Sequence, residues 1–173
     1  ILLMKKKNFY VSVDLEEWYH LIYFRKYTSF TGEKFFSLKM NEFLGFLDKN
    51  SIKATFFILA DLAKEIPYII KEISELGHEV ACHGYDHGLV NEKTNIQFYD
   101  ELSLAKETLE TISGQEVIGY RSPCFSLTDE KLEILKKIGY KYDSSYILFT
   151  NHMLYNKLSI SNFRRINSVL LVD

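Results

Sequence analysis

LGHEVACHGYDH (residues 76–87) holds a helix stop, a strand and a polar turn in succession. Gly77 follows a run of helix-spaced apolar residues and precedes the β-rich segment 78–84, HEVACHG, where a left-handed helix cap is expected. Past that strand, His83 and His87 stand four apart among Gly84, Asp86 and Gly88. Neutral imidazoles at this spacing on a tight loop can converge on one metal ion. Gly and Asp are also ordinary turn formers, so a plain surface turn fits the same letters. The spacing alone leaves both readings open.

The same punctuation recurs along the chain. Gly114 in TISGQEV and Gly139 in KKIGYKY each close a helical run and open a strand. Strands are expected at 8–15, 53–60, 78–84, 116–122 and 140–145. Helices are expected at 38–49, 61–76, 95–113 and 128–138, the second starting near Pro67 or kinking there. Asp129 and Glu130 favour the start of the last of these. Repeated β-α-β order implies an α/β fold with a parallel sheet and right-handed crossovers, open or closed into a barrel.

With 173 residues, 47% hydrophobic, the chain is long enough for one domain with a sizeable core. A net charge of -2 offers no basic field for nucleic acid, and no stretch is apolar enough to span a membrane. Residues 1–7, ending in Lys5-Lys6-Lys7, read as a solvated leader, with the domain occupying 8–173. Their order, apolar before basic and with no cleavage site, is not that of a secretory signal, so a cytoplasmic location, or a chain that has lost its leader, is expected. Cys82 and Cys124 cannot form a disulfide framework and are read as reduced thiols. The oligomeric state is not legible.

On this scheme the unusual polar residues gather at carboxyl ends of strands, the face where α/β sheets and barrels build their sites. Asp14 and Glu16 end the first strand, His83 and His87 follow the third, Arg121 closes the fourth and Asp143 the fifth. Alternation puts Ser12, Asp14 and Glu16 on one face and Val11, Val13 and Leu15 on the other, which favours Glu16 over Glu17 as the second carboxylate. Two imidazoles and one carboxylate make a three-ligand site with a position left for water, and the other carboxylate can act as base. Taken alone, VDLEEW reads equally as a strand entering an acidic loop. In GYRSPCF (119–125), Pro123 extends the backbone at Ser122 and holds Arg121 where it could meet a carboxylate, or cap carbonyls. Asp143 in YDSS also has the form of a turn starter.

Five consecutive blocks, VSVDLEEW, ATFFILADLAKEIP, LGHEVACHGYDH, ETISGQEVIGYRSPCFS and KIGYKYDSS, resemble the polysaccharide deacetylases, the NodB-homology or carbohydrate esterase family 4 domain. The likeness runs from about Phe9 to Ser145. It is nearest the branch with an Asp-x-Glu-Asp-type first motif, associated with bacterial exopolysaccharide loci, so a bacterial or archaeal source is expected. The resemblance implies a distorted (β/α) barrel, incomplete at its carboxyl end, and metal-dependent removal of N-acetyl groups from amino sugars. By it Asp14 matches the base that activates water, Glu16, His83 and His87 match the metal ligands, and Arg121 matches the arginine that orients the base. Zn2+ is the expected ion, with Co2+ or Ni2+ suited to similar donors. Backbone amides around Cys124 would steady the oxyanion, and Tyr85, Phe125 and Asp143 join Cys124 as candidate substrate-binding residues.

The sequence departs from the family in three places. An adjacent Asp-Asp pair is replaced by Asp14-Leu15-Glu16-Glu17, the fourth motif is matched faintly by Asp143, and the chain's one tryptophan is Trp18. The family's last motif carries a histidine that protonates the departing amine; His152 is the only histidine after Arg121, and its context NHMLYN differs. The ending SVLLVD reads as a strand cut off mid-domain, which would leave a sheet edge exposed. Two rival readings stand beside this one. One is a related C–N hydrolase acting on allantoin or on a formylated amino sugar. The other is a non-catalytic saccharide-binding module using Tyr85, Tyr120, Phe125 and Tyr146 as stacking surfaces.

Overall fold

The computed structural model describes residues 9–21, 36–147, 164–166 and 169–171. The leader at 1–7 and His152 lie outside the described residues.

Five short strands pair in parallel in chain order: β1 (Val11–Leu15), β2 (Ala54–Ile58), β3 (Glu79–Cys82), β4 (Gly119–Tyr120) and β5 (Tyr142–Asp143). Helices α1 (Phe36–Lys49), α2 (Ala60–Glu65), α3 (Pro67–Glu75), α4 (Asn95–Ser113) and α5 (Asp129–Ile138) lie between them. With every strand beside its predecessor, right-handed crossovers carry all the helices to one side, as in a (β/α) barrel; a doubly wound sheet would reverse its order midway. The other side of the sheet is then free to hold polar side chains.

Register explains which residues face which way. The row Leu15–Ile58–Cys82–Tyr120 runs across four strands on the helix side, and all four are at most 2% exposed. The adjacent row, Asp14–Phe57–Ala81, faces the opposite way. The helices complete the core with apolar positions at three- and four-residue intervals. Met40, Leu44 and Leu47 do this on α1, and Phe98, Leu102, Ala105 and Leu109 on α4. Burying each of the Leu, Met and Phe side chains fully stabilises the fold by about 1.5–3 kcal/mol before entropy is counted.

The expected helix at 61–76 is two helices. Pro67 supplies no N–H to continue α2, so the chain breaks at Ile66 (φ -125°, ψ 47°) and α3 starts on the proline. Gly77, Gly114 and Gly139 all take positive φ, 73°, 69° and 101°, as their positions after helical runs required. Thr94 caps α4, accepting from Gln97 N at 3.2 Å, while Gln97 Oε1 accepts from Thr94 N at 2.9 Å.

As expected, SVLLVD contributes a strand: β7 (Val169–Leu171) pairs antiparallel with β5 and with β6 (Arg164–Ile166), which is the outer strand of the described sheet at that end. No helix among the described residues is long and apolar enough to cross a membrane.

Candidate metal centre and its acid–arginine pair

The parallel ladder continues one residue past the strands. His83 N donates to Ile58 O at 2.9 Å, Arg121 N to Cys82 O at 2.9 Å and Ser144 N to Tyr120 O at 2.8 Å. Each residue after a helix-facing one turns to the opposite face, which carries His83, Arg121 and Ser144 toward the side of Asp14. Two loops there are locked together. Gly84 (φ 95°) lies against Pro123, whose Cγ a Cβ would meet at 3.3 Å, and the turn leaves His87 at φ 61°. The Pro123–Phe125 turn likewise places Cys124 and Phe125 at φ 49° and 48°, a conformation that non-glycine residues hold only when their surroundings enforce it.

Glu16, His83 and His87 each turn one ligand atom into a common space, all within 4.8 Å of one another. His83 and His87 are buried, and their rings lie 5.4 Å apart. His83 Nδ1 sits 2.8 Å from Arg121 O. A carbonyl can only accept, so Nδ1 carries the proton and the neutral ring presents the Nε2 lone pair toward Glu16. Burial holds the His83 pKa below the ordinary histidine value, keeping that lone pair available. Burial works to raise the Glu16 pKa, but the His87 contact and the charges of His87, His83 and His20 bring it below normal. His87 Nε2 approaches Glu16 Oε2 to 2.7 Å, yet Oε2 and His87 Nδ1 are buried without a hydrogen-bond partner. Two imidazoles and a carboxylate whose buried oxygen lacks a hydrogen-bond partner are the donor set a divalent cation satisfies. Glu17 is outside the group. Its backbone caps the following turn, accepting from His20 N and donating to His20 Nδ1, each at 2.9 Å.

Beside this cluster, Arg121 Nη1 donates to Asp14 Oδ1 at 2.6 Å. The guanidinium lies 4.0 Å above the Phe57 ring, and its other nitrogens donate to Ser144 O, Ser144 Oγ and Ser12 Oγ at 3.3, 2.9 and 3.2 Å. Asp14 is thus held through one oxygen.

Asp143 requires a correction. It pairs in register with Tyr120, on the helix-side face opposite Arg121, and is fully buried. Its oxygens accept from Ser145 N at 2.9 Å and Ser145 Oγ at 2.6 Å, so it is a turn residue and cannot meet substrate. Burial raises its carboxyl pKa to about 7. Tyr120 likewise is fully buried, which removes it as a sugar platform, and Tyr146 is half-buried against the core. Tyr85 is half-buried, its hydroxyl accepting from Lys64 Nζ at 2.7 Å, and Cys124 and Phe125 are half-buried in their turn.

Ser144, Phe57 and His20 went unread in the sequence. His20, buried, accepts from Glu17 N through Nδ1 and sets Nε2 3.8 Å from Asp61 Oδ2. The spacing from Glu17 was its only signal.

The family model for polysaccharide deacetylases matches residues 31–142. The chain belongs to that family. It is similar to peptidoglycan-N-acetylmuramic acid deacetylase PdaA of Bacillus subtilis, 31% identical over 99 residues, covering 57% of this chain and 38% of the relative. It is also similar to the chitooligosaccharide deacetylase of Azorhizobium caulinodans, 30% identical over 94 residues, covering 54% of this chain and 45% of the relative. Among solved structures, a mutant of BA3943 from Bacillus anthracis, a CE4 family pseudoenzyme with restored enzymatic activity, aligns with a TM-score of 0.57. That alignment is at 28% identity and covers 58% of this chain and 37% of the other. The chain therefore spans less than half the length of these relatives.

Proposed function

We propose that this domain hydrolyses N-acetyl groups from amino sugars of a poly- or oligosaccharide, using a divalent metal held by Glu16, His83 and His87. The observation that carries the reading is the adjacency of that cluster to the Arg121–Asp14 pair. Zinc suits the donor set, and Co2+ or Ni2+ would find the same ligands. When bound, such an ion supplies Lewis-acid chemistry, polarising an acyl oxygen and acidifying water.

Asp14 then serves as the base. Arg121 occupies Oδ1 and fixes the carboxylate, leaving Oδ2 to accept a proton from water beside the cluster. Glu16 is committed to the histidines and does not compete for that role. The backbone amide of Cys124, in the left-handed Pro123–Phe125 turn, would stabilise developing negative charge on the acyl oxygen. Names of the relatives, one for a peptidoglycan and one for a chitooligosaccharide deacetylase, support an N-acetylated amino sugar as substrate.

The test is acetate release from N-acetylglucosamine oligomers, with allantoin hydrolysis and formate release from a formylated amino sugar measured in parallel. Metal-dependent acetate release supports the reading. Turnover of allantoin or of the formyl compound alone would move the chain to one of the other C–N hydrolase activities.

A further inference from the structure

Asp143, Ser144 and Ser145 form a short turn whose hydrogen bonds reach Arg121 and the residues either side of it. Ser144 N donates to Tyr120 O at 2.8 Å, and Ser145 Oγ accepts from Ser122 N at 2.8 Å. The same Ser145 Oγ donates to Asp143 Oδ1, and Ser145 N to Asp143 Oδ2, which fixes the hydroxyl orientation. Between those two backbone ties, Ser144 takes the Arg121 side chain itself, its O accepting from Nε and its Oγ from Nη2. Ser144 is only 8% exposed, so water does not replace these contacts freely.

We propose that Ser144 is a positioning residue that fixes the Arg121 guanidinium and, through it, the Asp14 carboxylate. The inference rests on the reading of Asp14 as the base. Arginine is long and rotamer-rich, and a guanidinium free to rotate would present any of its nitrogens to Asp14. Phe57 restrains it from below and confines it to a plane, but a stacking face does not select a rotation within that plane. The two Ser144 acceptors do, because they engage Nε and Nη2 together and leave Nη1 for Asp14. Ser12 Oγ, at 3.2 Å on the exposed side, is a weaker third restraint. Asp143 thereby gains a use that its burial hides: it orients Ser145, which holds the backbone after Arg121.

The experiment compares the wild-type chain with Ser144→Ala, Ser144→Thr and Ser12→Ala by two readouts. The first is 15N NMR of the Arg121 guanidinium, assigned by its loss in Arg121→Lys. Slow rotation gives resolved Nη signals in the wild type and in Ser144→Thr, and Ser144→Ala merges or broadens them at unchanged melting temperature. The second is steady-state deacetylation, where kcat falls about 10-fold in Ser144→Ala with KM within about twofold. Ser144→Thr restores kcat, and Ser12→Ala loses less. Resolved Nη signals and wild-type kcat in folded Ser144→Ala would overturn the proposal. So would a failure of Ser144→Thr, if folded, to recover either readout. If the wild type itself releases no acetate, the reading of Asp14 as base fails, and the guanidinium signals alone decide whether Ser144 fixes Arg121.

Discussion

Arg121 Nη1 meets Asp14 Oδ1 at 2.6 Å, joining residues 107 positions apart. The contact links the first strand to the fourth and depends on planar geometry as well as charge, since the other guanidinium nitrogens are engaged elsewhere. Arg121→Lys keeps the charge and loses the fork. Deacetylation is expected to fall by about 100-fold with metal content unchanged, measured by acetate release and elemental analysis on the same sample.

Glu16 and Glu17 make opposite predictions. Glu16 Oε2 faces both histidines, at 2.7 Å from His87 and 4.0 Å from His83, whereas Glu17 belongs to the capping turn. In a zinc titration of the stripped chain, Glu16→Gln should weaken binding by about 100-fold or more, and Glu17→Gln by no more than about threefold. Equal losses would assign the site differently.

Stability should carry the signature of Asp143. Its carboxyl is raised from an ordinary 3.8 to about 7 by burial, so the folded chain binds this proton more tightly than the unfolded one. The folded form therefore suffers no penalty from this group below about 4, loses stability as pH rises from about 4 to 7, and shows the full deficit above 7. Asp143→Asn removes that dependence. Thermal melts should show the variant gaining on the wild type by a few kcal/mol between pH 5 and pH 8; a constant difference would show that the carboxyl titrates normally.

Gly119 is fixed by a neighbour rather than by φ. A Cβ there would run into the hydroxyl and ring of Tyr142, which donates to Glu79 Oε1 at 2.8 Å. Gly119→Ala should lower stability by about 1–3 kcal/mol in denaturant unfolding, and Tyr142→Phe should relieve only part of it because the ring remains.

Much of this arrangement was legible because strand parity is a local rule. Ser12, Asp14 and Glu16 fell on one face and Val11, Val13 and Leu15 on the other, and the structure keeps that division: Leu15 is buried while Ser12 and Asp14 meet Arg121. Pro67 and the three cap glycines were legible for the same reason, since each acts on its own backbone. Asp143 was misplaced because its orientation depends on pairing in register with Tyr120, a fact of the sheet and not of YDSS. Ser144 and Phe57 escaped because neither is unusual until an arginine from another strand lies against it. The antiparallel β7 on β5 was hidden behind the regular β-α alternation, which predicts only parallel neighbours.

The most direct test of the central claim is acetate released per bound metal ion, in the wild-type chain and in Asp14→Asn prepared alike. The geometry predicts one divalent ion per chain in both, held by Glu16, His83 and His87, with release at least about 100-fold lower in Asp14→Asn. Metal bound equally in both with equal release, or no metal bound in either, would contradict it.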